Sequence, residues 1–584
     1  MTRSDPALAP TLRAAAPWIA AVLVLTVLGI TRGGAAPVGV FYDDAIYVDL
    51  ARSIAGGHGY RHLALPGAPV GVHYPPLYPM WLAAWSVLLP PVRGWSAVAW
   101  LKLGNALLAA ASVIVWARWG ARRLGVRVEV AAICAAASVL LVPARAVTST
   151  LYSEPLAWLL LGGALLAVDG ALAPAAEDPR PDGDESAASP AGHRRAVTAC
   201  ALAGLLPMVR VILLPFALAT AWAAARHTRF GAGRRAALVV LALAPTAGWM
   251  LWTARHGSGI PDAWRSNYGT YTGMWLASLH GIGDLVRLAA GQASAIWRTA
   301  RVMWSAPGAV VALVACAAGL FVALRGSRIA VLGTLGYLAI VLAWPVTPSR
   351  FLWGVLPLIT LLGAAGVAWA WRAAPRRAVA WGAVALSLLP VGACTRITVH
   401  GYRNDGWLVP QWKVAKRYAP LVRWARTLPP NAVVVTEDDP LLAAATGRHT
   451  APLIPPELVA LVDSSRARSD RDRVARSACA AGAGWIAVPD AGDIAWRAVR
   501  ALVEAPPAGL RFGSPVQVGP IGAAIPFACA GGERAAERAP EPAPEPLETP
   551  SAPEAAPVLD GADAAAAAPA SRAPHRSPRE ASRS

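Results

Sequence analysis

The chain has 584 residues, 56% of them hydrophobic and only 15% charged, with a mean hydropathy of +0.45. A soluble globular protein keeps about a quarter of its residues charged, so the composition argues against a soluble enzyme and makes lipid the solvent for much of the chain. The formal net charge of +19 does not indicate nucleic acid, because the arginines punctuate apolar runs and do not form one basic domain.

There are 25 Trp against 7 Phe, and Trp18, Trp116, Trp119, Trp344 and Trp371 stand at the ends of apolar runs. That is the belt expected where a helix crosses a membrane interface. A span needs roughly 20 mostly apolar residues. In chain order the candidates are 14–31, 96–116, 128–146, 152–170, 196–209, 211–225, 236–253, 307–324, 329–345, 351–371 and 378–395. The first follows Arg3 and Arg13 but lacks a small-residue cleavage site leading into a soluble domain, so it reads as a retained span. The fifth and sixth are short and divided by Arg210, which leaves half-buried helices as the alternative to full spans. The expected fold class is thus a polytopic α-helical membrane protein with about eleven passages.

Arginine clusters recur at alternate connections: Arg118/Arg122/Arg123/Arg127, Arg226/Arg229/Arg234/Arg235, Arg325/Arg328 and Arg372/Arg376/Arg377. Placing them inside puts the N-terminus in the cytoplasm and the C-terminus outside, as a multi-pass inner (cytoplasmic) membrane protein. The Pro-, Asp-, Ser- and Ala-rich loop 177–195 falls on the same side and reads as a disordered linker. Three segments then lie outside: 32–95, 254–306 and a C-terminal region. In the last, strand-like runs at 432–436 and 485–488 alternate with helix-like stretches, which predicts a small α/β domain over 396–530. Residues 531–584 are Pro-, Ala- and Glu-rich and are expected to be a disordered tail. Cys134, Cys200 and Cys316 lie in apolar runs as small hydrophobes, whereas Cys479 and Cys529 fall in the external region, where a disulfide can form.

The first external segment carries the chemistry. Ile46, Leu50 and Ile54 recur every four positions after Tyr42-Asp43-Asp44, which predicts an amphipathic helix along the membrane surface with acids at its N-terminus and Gly56-Gly57 at its end. Capping of the helix accounts for one acid but not two. His73-Tyr74-Pro75-Pro76-Leu77-Tyr78-Pro79 follows, and the prolines stiffen the chain and bar a helix until just after them.

As a set, Asp43-Asp44-x-x-Tyr47, Ala51-Arg52, His58-Gly59-Tyr60 and Tyr74-Pro75-Pro76-Leu77-Tyr78-Pro79 resemble the GT-C class of glycosyltransferases. The likeness is to the bacterial relatives of protein O-mannosyltransferases and lipid A aminoarabinose transferases, over residues 15–395. The resemblance implies a transferase domain at 1–395 whose catalytic loop is 32–95. It also implies a polyprenyl-phosphate-linked sugar donor, transfer with inversion, and a glycan, lipid or protein acceptor. On it, Asp43 is the base at the acceptor, Asp44 its acidic neighbour, and Tyr47 lies one turn along. Some members carry Lys just before the first Pro, where it meets the lipid phosphate. Here that position is Tyr74, beside His73.

Two deeper stretches extend the resemblance. Tyr152-Ser153-Glu154-Pro155 supplies a further acid at a span's end, with an interfacial position as the alternative to a catalytic one. Gly204-x-x-Pro207-x-x-Arg210 brings a cation among apolar residues, which is costly unless it meets an anion or a polar cavity. Ser349-Arg350-Phe351 resembles the Arg-aromatic entry to a late helix, and snorkelling to headgroups is its alternative. Arg210, Arg350, His73, Arg298 and Arg301 are the candidates for holding phosphate. Asp44 and Glu154 are hard oxygen donors that suit Mg²⁺ or Mn²⁺, although no ligand spacing requires a metal. Glu437-Asp438-Asp439 after a strand reads best as a solvated loop and helix cap. A lipid or glycan transporter without chemistry is the rival reading. It is disfavoured by the lack of internal repeats and by acids concentrated in an external loop.

Overall fold

The computed structural model describes residues 8–32, 38–89, 96–140, 150–172, 190–279, 281–345, 348–373, 409–453, 470–490, 492 and 494–529, with scattered positions between 377 and 399. The predicted span 378–395, most of the linker and the tail beyond 529 fall largely or wholly outside the described residues.

Among the described residues six helices are long and apolar enough to cross a membrane, and they lie at 8–28, 97–123, 154–171, 232–259, 304–326 and 356–373. Four shorter apolar helices stand at 77–88, 128–140, 211–225 and 328–343. Where they are described, the expected passages between 14 and 371 are largely helical, and six of the helices, not eleven, are long and apolar enough to span. The principal helices are α1 (Leu8–Arg32), α2 (Asp43–Ala55), α3 (Leu77–Leu88), α4 (Ala97–Arg123), α5 (Val128–Leu140), α6 (Glu154–Ala171), α7 (Pro190–Val209), α8 (Leu214–Ala225) and α9 (Ala232–His256). Helix α7 starts at Pro190, inside what composition marked as linker.

Arg210 sits in the break between α7 and α8. Its backbone is extended (φ −149°, ψ 119°) and a short 3₁₀ turn, Val211–Leu213, follows. Pro215 lies in the first turn of α8, where its missing N–H costs no hydrogen bond, so a new helix starts there cheaply. The segment 254–306, expected outside the membrane, is largely helical: short helices α10 (Arg265–Tyr268) and α11 (Tyr271–Ser278) precede α12 (Ile282–Gly326). Helix α12 kinks at Ser305 (φ 64°) just before Pro307. It packs tightly on α15 (Leu356–Ala373), because a Cβ at Gly319 or Gly366 would overlap the backbone of the opposite helix; small residues let membrane helices approach in this way. Between them in sequence lie α13 (Arg328–Ala343) and the short α14 (Ser349–Trp353).

The C-terminal region contains α16 (Val409–Thr427), α17 (Asp439–Thr446), α18 (Asp470–Ala481), α19 (Ile494–Glu504) and a six-stranded sheet of order β2-β1-β3-β6-β4, with β5 also paired to β6. The strands are β1 (Val433–Thr436), β2 (His449–Pro452), β3 (Ala483–Val488), β4 (Leu510–Phe512), β5 (Val516–Val518) and β6 (Gly522–Cys529). β1 runs parallel to β2 and β3, and β6 runs antiparallel to β3. Val434, Val435, Ile486 and Val488 are fully buried in its core. Cys479 and Cys529 form a disulfide joining α18 to β6.

Candidate active site at the first loop

Helix α2 begins at Asp43, and its N-cap residue Tyr42 has φ 66° with no side-chain capping bond. Asp43 is thereby relieved of capping, and its carboxylate turns away from its own helix. Oδ1 accepts the phenol of Tyr74 at 2.7 Å, and Oδ2 pairs with Nη2 of Arg350 at 2.7 Å. Arg350 also lies over the Tyr152 ring, 4.0 Å from its centroid. It does not simply snorkel to headgroups. Its Nε is buried without a hydrogen-bond partner among the described residues, while the side chain as a whole keeps 28% of its surface exposed.

A second pair lies beneath. Glu154 is fully buried, and Nη1 of Arg210 reaches its Oε1 at 2.5 Å and Ser153 Oγ at 3.3 Å. The break between α7 and α8 is what lets Arg210 turn inward. Tyr47 joins the two pairs: its hydroxyl stands 3.4 Å from Ser153 Oγ, and its ring meets Tyr74 and Tyr78 edge-on at 4.9 Å each. Tyr78 and Asn105 hydrogen-bond to each other, and Asn105 holds the carbonyls of Thr150 and Tyr152. That fixes the entry to α6, and with it Ser153 and Glu154.

Accessibility separates the three acids. The Asp43 side chain is 19% exposed and its partner Arg350 28%, whereas Glu154 is 0% and Asp44 2%. A substrate can reach the first pair and not the others. Asp44 faces inward, and burial raises its pKa to about 6 although the charge of Lys102 opposes the rise. Lys102, itself buried in α4, was not singled out in the sequence. The signal for it was an ionisable residue inside an apolar span.

His73 is also buried, with Nδ1 2.6 Å from the Gly269 carbonyl and its ring against Tyr74 and Tyr271. Desolvation lowers its pKa to about 4, so it is a neutral donor at physiological pH, without the charge that favours phosphate. Arg298 and Arg301 stay exposed on α12, and Arg298 donates to Ser294 on its own helix. As for a metal, Asp43, Asp44 and Glu154 each face a cationic side chain. Among the described residues no three His, Cys, Asp or Glu side chains are grouped to hold an ion. This donor set does not fit a bound Mg²⁺ or Mn²⁺.

Two expectations change here. Helix α2 does not lie open along a membrane surface: Asp44, Ala45, Ile46, Tyr47, Val48, Leu50, Ala51 and Ser53 are all buried. Pro440, Ala443 and Ala444 of α17 line a small cavity with Ala45 and Val48, covering the face opposite Tyr47. Asp439 is not a solvated cap. It is fully buried, accepts the hydroxyls of Tyr42 at 2.9 Å and Tyr268 at 2.5 Å, and burial raises its pKa to about 7.

No family model and no curated protein sequence matches the chain significantly. Among solved structures, it is similar to ArnT from Cupriavidus metallidurans in the apo state, with a TM-score of 0.50 and 14% identity over 88% of this chain and 98% of that one. The chain has an ArnT-like fold. The same protein bound to undecaprenyl phosphate gives a TM-score of 0.49 at 12% identity, with the same coverage. An Archaeoglobus fulgidus oligosaccharyltransferase tethered to an acceptor peptide gives 0.41 at 13%, over 80% of this chain and 69% of that one. Both neighbours are GT-C glycosyltransferases, the class that the motifs of the first loop resemble. At these identities the likeness is one of fold.

Proposed function

We propose that this chain is a membrane glycosyltransferase that moves a sugar from a polyprenyl-phosphate donor to a hydroxyl-bearing acceptor, with inversion, on the extracytoplasmic side of the inner membrane. The observation that carries the reading is Asp43: a carboxylate at the head of a loop helix, oriented by Tyr74 and paired with a half-buried arginine, in an ArnT-like fold.

The chemistry asks for little else. A phosphate is already a good leaving group, so the site needs a base for the acceptor and positive charge for the departing phosphate. The acceptor oxygen attacks the anomeric carbon and its proton passes to Asp43. The bond from that carbon to the phosphate oxygen breaks, and its electron pair leaves with polyprenyl phosphate. Arg350, a partly exposed cation beside the base, holds the phosphate. Asp44, Glu154, Arg210, Tyr47, His73 and Tyr74 are too buried to meet both substrates, and they act by placing Asp43 and Arg350.

The sidedness has two supports. Lys102 near the site and Arg122 lie on the same helix α4, twenty residues apart, or about 30 Å at 1.5 Å per residue. That is the thickness of a bilayer's hydrocarbon core. Arg118 and Arg122 line one groove with Arg194 and Arg195, and Arg123 lines another with Arg325 and Arg372, so the arginines gather at the end away from Asp43. The Cys479–Cys529 disulfide fits an oxidising compartment for the C-terminal region. On this reading residues 1–395 are the transferase and 396–530 an external domain.

The test is to supply purified protein in lipid nanodiscs with radiolabelled polyprenyl-phosphate hexoses and pentoses, together with extracted envelope lipids, glycans and proteins. Label moving into an acceptor fraction supports the proposal. Donor that crosses a sealed vesicle membrane unchanged, with no transfer, would favour a transporter instead.

A further inference from the structure

We propose that Asp439 is a positioning residue for the transfer reaction, holding the catalytic helix through Tyr42 and making the C-terminal domain part of the active site. This rests on the reading of Asp43 as the base.

Tyr42 immediately precedes Asp43 and has φ 66°, a left-handed conformation that is rare for a bulky residue and that only surrounding contacts can hold. Those contacts are polar and come from two other segments. Asn267 of the second external segment donates to the Tyr42 hydroxyl, which donates to Asp439 Oδ1 at 2.9 Å. Tyr268 donates to Oδ2 of the same carboxylate at 2.5 Å. Asp439 thus receives both phenols, one from each external segment of the membrane domain. Asp439 and Tyr268 are buried and Tyr42 is partly buried, so losing either bond leaves the buried carboxylate short of a donor.

Two further contacts keep α17 and β2 on this helix. Gly39 (φ 101°) lies against the Leu441 backbone so closely that a Cβ there would overlap it. The Thr450 amide donates to the Ala64 carbonyl at 2.8 Å. The C-terminal domain therefore grips the chain before and after α2. Because the peptide between Tyr42 and Asp43 is rigid, movement of Tyr42 carries the base with it. A displacement of about 1 Å at a reacting group costs on the order of 10²-fold in rate. Asp439 touches no substrate, and its effect runs through backbone geometry.

The test uses the full-length protein in nanodiscs, with Tyr42→Phe, Asp439→Asn and the double variant, and Asp43→Asn alongside. The donor is whichever radiolabelled polyprenyl-phosphate sugar of the panel the wild type transfers fastest. Each single variant is expected to lower kcat about 10- to 100-fold with the donor KM unchanged. The double should be no slower than the slower single, because both remove the same bond. Amides Ala45–Val48 should exchange hydrogen faster in both singles, while the protein stays folded with the Cys479–Cys529 disulfide retained. Wild-type exchange in both singles overturns the clamp whatever the activity. Wild-type kcat in both singles beside an inactive Asp43→Asn also overturns it and leaves the transferase reading standing. Full activity in Asp43→Asn overturns the transferase reading instead.

Discussion

Replacing Glu154 by Met removes the carboxylate that faces Arg210 and leaves a guanidinium with no counter-charge in a closed site. Glu154 is 0% exposed and Arg210 10%, with 2.5 Å between Oε1 and Nη1. Breaking a buried pair by deleting one partner costs about 3–5 kcal/mol. Arg210 keeps Ser153 Oγ at 3.3 Å and a little exposure, so the lower end applies: about 3 kcal/mol, or roughly a 10²-fold shift in the folding equilibrium. Replacing both residues by Met removes the stranded charge, and the double variant should be more stable than Glu154→Met alone. Unfolding in mixed micelles titrated with SDS, followed by tryptophan fluorescence, measures all three. If Glu154→Met lies within about 0.5 kcal/mol of the wild type, or if the two substitutions simply add, the pair is not the buried anchor described here.

The disulfide closes a loop of 50 residues, so Cys479→Ser should destabilise the C-terminal domain by about 4 kcal/mol; limited proteolysis with and without reductant would show earlier cleavage there and not in the membrane helices. His73 has a pKa of about 4 against an ordinary 6.5, so between those values the unfolded chain binds more protons than the folded one. Its contribution to stability is complete above about pH 6.5 and is lost as the pH falls toward 4. A His73→Gln variant should show a flatter stability profile over that window in the same SDS titration, and an unchanged slope would count against the buried neutral imidazole.

Much of the site could be read from sequence because its parts are local. Asp43-Asp44 ahead of a four-residue apolar repeat and the proline-stiffened Tyr74 segment stand close together, and Arg350 precedes an apolar run that cannot solvate it. What could not be read is pairing across distance. Glu154 and Arg210 are 56 residues apart, and each alone looks like an expensive intramembrane charge; only folding shows that they neutralise each other. Tyr74 occupied the place of a phosphate-binding lysine but proves to orient the acid. Asp439 lies 397 residues from Tyr42, and Asp after a strand is so often a solvated cap that its sequence gave no sign of burial. The covered face of α2 did leave a trace: Ala45 and Val48 are apolar on the side that a surface helix would make polar. The four-residue count of Ile46, Leu50 and Ile54 passed over it.

The central claim is that Asp43 takes the acceptor proton in a sugar transfer from polyprenyl phosphate. Its most direct test compares wild type with Asp43→Asn in nanodiscs, counting polyprenyl phosphate released and labelled sugar gained by the acceptor. Wild type should yield equal amounts of both. Asp43→Asn should be slower by at least about 10², with expression, melting temperature and donor binding retained. Transfer at the wild-type rate from Asp43→Asn would contradict the claim.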